Sequence, residues 1–288
     1  EWYQRNTNGM LAPGVQLPAV VGASAPYQNT ADMRTRGWEL SLNWRDQIGK
    51  VGYRIGFNLS DYKSEIIKYD DNAATKLLSS YYPGQTLGEI WGYVVDGYYT
   101  VDDFVDTSSW QLKEGVTSIN GYNVRPGDVK FKNLRDDDTS TNVITSGDNT
   151  FDNPGDRKVI GNTTPRYQYG INLGMNYAGF DLNVILQGTG KRDYWISNVL
   201  TFPMNGDNFV PLFEGLSDYW MPKDPDNGDW SAVNPNAKYP RIYGNRGNSG
   251  SNLRQSDKYL SDASYLRIKN ITLSYKLPKK WRSEERRV

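Results

Sequence analysis

In four segments of this chain apolar and polar residues alternate strictly, and that period of two commits the backbone to strands whose two faces differ in chemistry. Residues 36–46 (RGWELSLNWRD) put Trp38, Leu40, Leu42 and Trp44 on one face and Glu39, Ser41, Asn43 and Arg45 on the other. Residues 50–60 align Val51, Tyr53, Ile55, Phe57 and Leu59 against Lys50, Gly52, Arg54, Gly56, Asn58 and Ser60. The pattern returns in 167–177, where Tyr167, Tyr169, Ile171, Leu173, Met175 and Tyr177 oppose Gln168, Gly170, Asn172, Gly174 and Asn176. In 180–188, Phe180, Leu182, Val184 and Leu186 oppose Asp181, Asn183 and Gln187. A last segment, 270–278, aligns Ile271, Leu273, Tyr275 and Leu277, while Leu266 and Ile268 lie in the other parity. That break predicts a bulge near Lys269 and Asn270. Asp46–Gly49 and Ala178–Gly179 are expected as tight hairpin turns.

Alternation alone leaves a soluble β-sandwich open. Two features favour a transmembrane antiparallel β-barrel. Segments of about ten residues with aromatic rings at their ends suit a tilted bilayer crossing, whereas sandwich strands are usually nearer five or six. The opposite faces carry Glu39, Arg45, Arg54, Asp181 and many Gly and Asn residues, as a water-filled lumen requires. On this reading Trp38, Leu40, Leu42, Trp44, Tyr53, Ile55, Phe57, Ile171, Leu173, Leu182, Val184, Leu273 and Tyr275 face outer-membrane lipid. The long polar stretches 61–166 and 189–263, rich in Asp, Asn, Gly, Ser and Pro, are expected as extracellular loops, since short turns on one side and long loops on the other mark such barrels.

Composition narrows function. Basic and acidic side chains balance at 33 each, so no single-sign field steers nucleic acid to the chain. There is no Cys and no His, which removes disulfides, thiol nucleophiles, His-based triads and Cys- or His-ligated metals. Mean hydropathy is −0.71, and no apolar run of about 18 residues offers a membrane helix. A barrel tolerates such a value, because only alternate strand residues are apolar. Tyr (21) and Trp (9) outnumber Phe (8), a bias suited to rings with one apolar and one wet end. Glu1-Trp2-Tyr3 opens no signal peptide, which points to a trimmed form or a fragment.

Five ordered segments resemble a known family. They are NTADMRTRGWELSLNW (29–44), EIWGYVVDGYY (89–99), PGDVKFKNLRDDD (126–138), VIGNTTPRYQYG (159–170) and SDASYLRIKNITLSYKLPKKW (261–281). Together they look like the C-terminal part of the SusC/RagA-type TonB-linked transporters of Bacteroidetes. The resemblance implies a barrel of 22 strands, filled by a plug and energised through a TonB box, both outside residues 1–288. It also implies a SusD-like lipoprotein as lid and an oligosaccharide or peptide as cargo. The outer membrane is the location implied, with multi-pass strands, no cofactor and no enzymatic reaction. The chain stops at WRSEERRV rather than on closing strands ending in an aromatic residue, which predicts truncation. A passive porin-like channel and a soluble carbohydrate-binding β-sandwich are the alternatives.

Two constellations invite chemistry. Trp110, Tyr194, Trp195, Tyr219, Trp220 and Trp230 lie in polar loop contexts, where rings either stack on cargo or pack the loops together. Asp136, Asp137 and Asp138, followed by Asp148, Asp152 and Asp156, sit where the family often carries a calcium-like loop. Calcium wants six to eight close oxygens. Their stretched spacing favours a solvated acidic loop, so Asp136, Asp138 and Asp148 are weak ligand candidates and no metal is expected. The pairs Asp224/Asp226 and Glu284/Glu285 have no fixed separation across a sugar bond, so glycoside hydrolysis is not expected.

Overall fold

The computed structural model describes residues 1–15, 20, 22, 25–135, 142–196, 214–243 and 250–278. The chain begins with β1 (Trp2–Pro13), β2 (Tyr27–Ile48) and β3 (Val51–Tyr69). A first excursion holds β4 (Glu89–Tyr93), β5 (Val95–Tyr98), β6 (Ser118–Ile119), β7 (Val129–Phe131), β8 (Val143–Ile144) and β9 (Arg157–Asn162). The hairpin β10 (Arg166–Tyr177) and β11 (Phe180–Lys191) follows. A second excursion carries β12 (Asp193–Trp195), β13 (Pro222–Asp224), β14 (Asp229–Ala232) and β15 (Leu260–Asp262), before β16 (Tyr265–Tyr275) closes the order. Among the described residues no helix is long and apolar enough to cross a membrane.

One antiparallel sheet dominates, in the order β1-β2-β3-β10-β11-β16. Because β3 pairs directly with β10, and β11 with β16, neither excursion adds a strand to it. The register stacks like with like. Leu42, Phe57, Ile171, Leu186 and Ile268 form one cross-strand row, and Trp44, Ile55, Leu173, Val184 and Ile271 form the next. On the opposite face Ser41, Asn58, Gly170, Gln187 and Arg267 line up in the same way. From Trp38 to Ile48 this face spans ten residue steps with Asp46 as its one polar member, about 34 Å along the strand, which a tilt near 40° reduces to about 26 Å. At the turn end Tyr177, Phe180 and Tyr275 stand side by side, the last two with ring centroids 4.6 Å apart.

Several details differ from the sequence expectation. The first hairpin turn is not Asp46–Gly49: the ladder runs on through Asp46↔Tyr53, Gln47↔Gly52 and Ile48↔Val51, leaving Gly49 and Lys50 as a two-residue turn. Polar Asp46 and Gln47 look like loop residues, but at a strand end facing water they pair as well as any others. The second turn is Ala178–Gly179, both with positive φ (49° and 91°), as a tight right-twisted hairpin requires. The bulge falls as expected: Ile185 pairs with Asn270 and Leu186 with Ile268, so Lys269 is the extra residue and the apolar parity is restored across it. Strands β2 and β3 extend well above the apolar band, through Arg36↔Lys63 and Arg34↔Glu65, and β1 was not apparent from the sequence at all.

Candidate functional site

The two excursions rise from the same end of the sheet and build one body. The first supplies a core of its own, with Tyr93, Tyr99, Phe104, Ile119, Val124, Val129, Phe131 and Ile144 all buried. EIWGYVVDGYY, which shows no polar face, makes two short strands: β4, largely buried, pairs with β9, and β5, exposed at Asp96 and Gly97, pairs with β7.

The second excursion is bolted onto the first by polar groups. Asp128, fully buried, accepts hydrogen bonds from Asn252 Nδ2 (2.9 Å), Tyr243 Oη (2.6 Å) and the Arg125 amide (2.7 Å), while Val129 N donates to Asn252 Oδ1 (2.8 Å). Burial is the largest influence on its carboxyl and pushes its pKa up, while those three donors pull it back. Burial, and after it the same carboxylate, raise Tyr243 well above the ordinary phenol value. Tyr98 Oη donates to the Ala237 carbonyl (2.9 Å) and the Tyr93 amide to the Gln255 carbonyl (2.9 Å). Trp220 lies over Gly127, where any Cβ would come within 2.2 Å of the indole, at a φ of +90° that disfavours side chains.

The six loop aromatics therefore have different surroundings. Trp110 and Trp230, one from each excursion, meet edge to face at 5.0 Å, with Arg125 over the first ring and Arg241 over the second. Trp220 is 3 % exposed and so spends its ring on packing. Trp195 and Tyr219 are half-buried, Trp195 against Tyr259 at 5.9 Å, and Tyr194 is open to solvent at 47 % exposure.

The candidate acidic residues are not gathered. Asp136, Asp137 and Asp138, like Glu284 and Glu285, lie outside the described residues. Asp148 accepts from Asn153 Nδ2 (3.0 Å), and buried Asp156 is satisfied by the amides of Leu134 (2.9 Å) and Thr145 (2.7 Å). Asp224 caps its own turn through Asn227. No group of three acidic side chains among the described residues is placed to hold a metal ion.

Below this body the polar face of the sheet forms a groove of about 720 Å³, lined by Glu39, Ser41, Asn58, Gln168, Gln187 and Tyr265 among others. Further down, Arg54 reaches across β10 to Asp181 (3.1 Å), passing over Gly174.

Long strands joined by two-residue turns at one end and by large excursions at the other, with one apolar and one polar face, define a segment of an outer-membrane-type β-barrel. Known proteins point the same way. The chain is 26 % identical over 96 % of its length to TonB-dependent receptor P3 of Formosa agariphila, and 23 % identical over 96 % to TonB-dependent receptor P26 of that organism. It spans about a quarter (25 %) of the length of each of these relatives. Its fold matches the RagAB peptide importer in the closed-closed state, with a TM-score of 0.62 and 21 % identity over 97 % of this chain and 27 % of that one. A second RagAB peptide transporter structure gives 0.63 and 19 %, over 99 % and 27 %. No family model matches the chain. The resemblance to SusC/RagA-type TonB-linked transporters holds, and the fold is that of part of a TonB-dependent receptor barrel.

Proposed function

We propose that this chain forms strands and extracellular loops of an outer-membrane importer driven through TonB, with an oligosaccharide or peptide as cargo and a SusD-like lipoprotein as partner. The plug and TonB box of such a machine are supplied by sequence outside residues 1–288. In this reading the apolar rows meet lipid, the polar rows and the groove beneath the excursions line the import path, and the excursions take cargo and lid. The observation that carries it is the two-sidedness of the six-stranded sheet, whose apolar face has the height of a bilayer core. A water-filled lumen on the other face explains the Arg54–Asp181 pair and the polar ladders. The relatives being receptors, no reaction is assigned to the chain.

Arginine substitution tests the orientation. Leu42→Arg and Leu173→Arg should each cost about 2 to 4 kcal/mol near mid-bilayer, whereas Asn43→Arg and Asn172→Arg, on the polar face, should cost much less. The readout is the assembled, heat-modifiable fraction of the full-length protein; equal damage at all four positions would sink the assignment.

A further inference from the structure

A second groove, of about 610 Å³, opens between the two excursions. Its walls are Trp91 and Tyr93 of β4, the turn ending at Asp148, Arg157 at the start of β9, and Arg254 from the second excursion. Two guanidinium groups therefore share one space. Arg157 spends its donors on neutral acceptors, the carbonyls of Pro154 (3.0 Å) and Ser146 (2.8 Å) and Asn149 Oδ1 (2.9 Å), so its charge is not neutralised. Arg254 has neither an ion pair nor a side-chain hydrogen bond among the described residues; its guanidinium lies over Tyr93 at 5.3 Å and over Tyr122 at 5.2 Å.

That placement has a chemical meaning. Two rings this close shield part of the guanidinium from water and restrict it, while its N–H donors stay unspent. A planar fork of free donors fits a carboxylate in bidentate fashion. Among the described residues that line the groove the one carboxylate is Asp148, exposed and engaged with Asn153, against two guanidinium groups, so these residues make a poor home for a cation. Trp91 offers an apolar wall: its Nε1 is tied to Glu89 Oε1 (2.8 Å), and Glu89 in turn accepts from Tyr82 Oη, so the indole is fixed.

We propose that this groove is a subsite for a carboxylate-bearing unit of the cargo, with Arg254 as the residue that reads the charge and Trp91 as the surface against which the rest of the unit rests. The proposal rests on the import reading, which the arginine scan above tests without involving Arg254. The carboxylate could belong to an acidic sugar or an acidic peptide, and the experiment separates them. Full-length transporter in detergent is titrated with trigalacturonate and neutral trigalactose, and with triglutamate and triglutamine peptides. At low salt at least one acidic probe should bind more tightly than its neutral twin, and the pair that shows it names the source. Arg254→Gln should weaken the acidic probe by about tenfold or more, the loss expected for a charge-assisted bidentate contact, and leave the neutral probe unchanged. Arg254→Lys keeps the charge without the fork and should fall between, so it decides the matter if Arg254→Gln fails to assemble. No acid-over-neutral preference in the wild type, equal losses for acidic and neutral probes in Arg254→Gln, or undiminished acid binding in Arg254→Lys would overturn it.

Discussion

Asp128 shows how much a single side chain carries where the excursions meet. Replacing it with Ala removes the acceptor for three donors, Asn252 Nδ2 in a buried bond and Tyr243 Oη and the Arg125 amide in part-buried ones. A buried donor left unsatisfied costs about 1 to 3 kcal/mol and a part-buried one less, so Asp128→Ala should destabilise the joint by about 3 kcal/mol. Hydrogen exchange at residues 126–131 reads that directly. The carboxyl also makes the joint pH-sensitive. Its pKa is raised in the folded state, chiefly by burial, so the folded form holds the proton more tightly than the unfolded one. Its contribution is fully present below the ordinary carboxylate value and declines as pH rises from there through the raised one. After correction for intrinsic exchange, protection at 126–131 should fall over that window, and the fall should be absent in Asp128→Asn; protection that rises instead would show the three donors outweighing burial. Residue identity foretold little of this. The loop aromatics were visible in the sequence, but not that Trp220 is buried over Gly127 while Tyr194 is open, because that depends on neighbours about 90 residues away.

The strands were the most legible elements, because a period of two is written into each stretch and needs no partner to be read. Leu40–Trp44 and Ile171–Met175 pack as their alternation says. β1 escaped notice since Gln4 and Asn6 alternate with Arg5 and Thr7, giving two polar faces and no contrast. The upper half of β3 did so because its buried members lean on partners outside their own stretch: Ile66 packs with Ala12 and Ala31, Ser64 bonds Thr35, and Asp61 pairs with Arg166. Register is likewise a property of pairs. Gly174 is small because Arg54 crosses it to reach Asp181, and a Cβ there would lie 2.2 Å from the Arg54 Nε. The pair is more than a third exposed, so it contributes no more than about 1 kcal/mol. Gly174→Ala should therefore cost roughly 1 kcal/mol of unfolding free energy, read from urea unfolding of the full-length barrel, and should cost nothing further in an Arg54→Ala background. Full additivity of the two substitutions would mean that Arg54 does not need the gap.

At the scale of the molecule the important contacts are distant ones: Asp128 to Tyr243 and Asn252, Tyr98 to Ala237, and Val95 to Asp257 are separated by 115, 124, 139 and 162 residues. No local pattern encodes them, yet they join two stretches that read as separate polar loops into one body. Their common origin at one end of the sheet makes a topological prediction. Both two-residue turns, Gly49–Lys50 and Ala178–Gly179, lie at the other end, so if short turns face the periplasm the whole joint body faces outward. The chain has no Cys, so a single introduced Cys is the only thiol it contributes. Ser108 and Ser146, in the first excursion, and Gln47 and Ala178, at the turns, are all exposed, so access to the reagent and not burial decides labelling. On intact cells a membrane-impermeant maleimide should label Ser108→Cys and Ser146→Cys at once, and Gln47→Cys and Ala178→Cys only after the outer membrane is opened. The reverse order would turn the barrel over and place the carboxylate groove at the periplasmic exit, where it would meet cargo last.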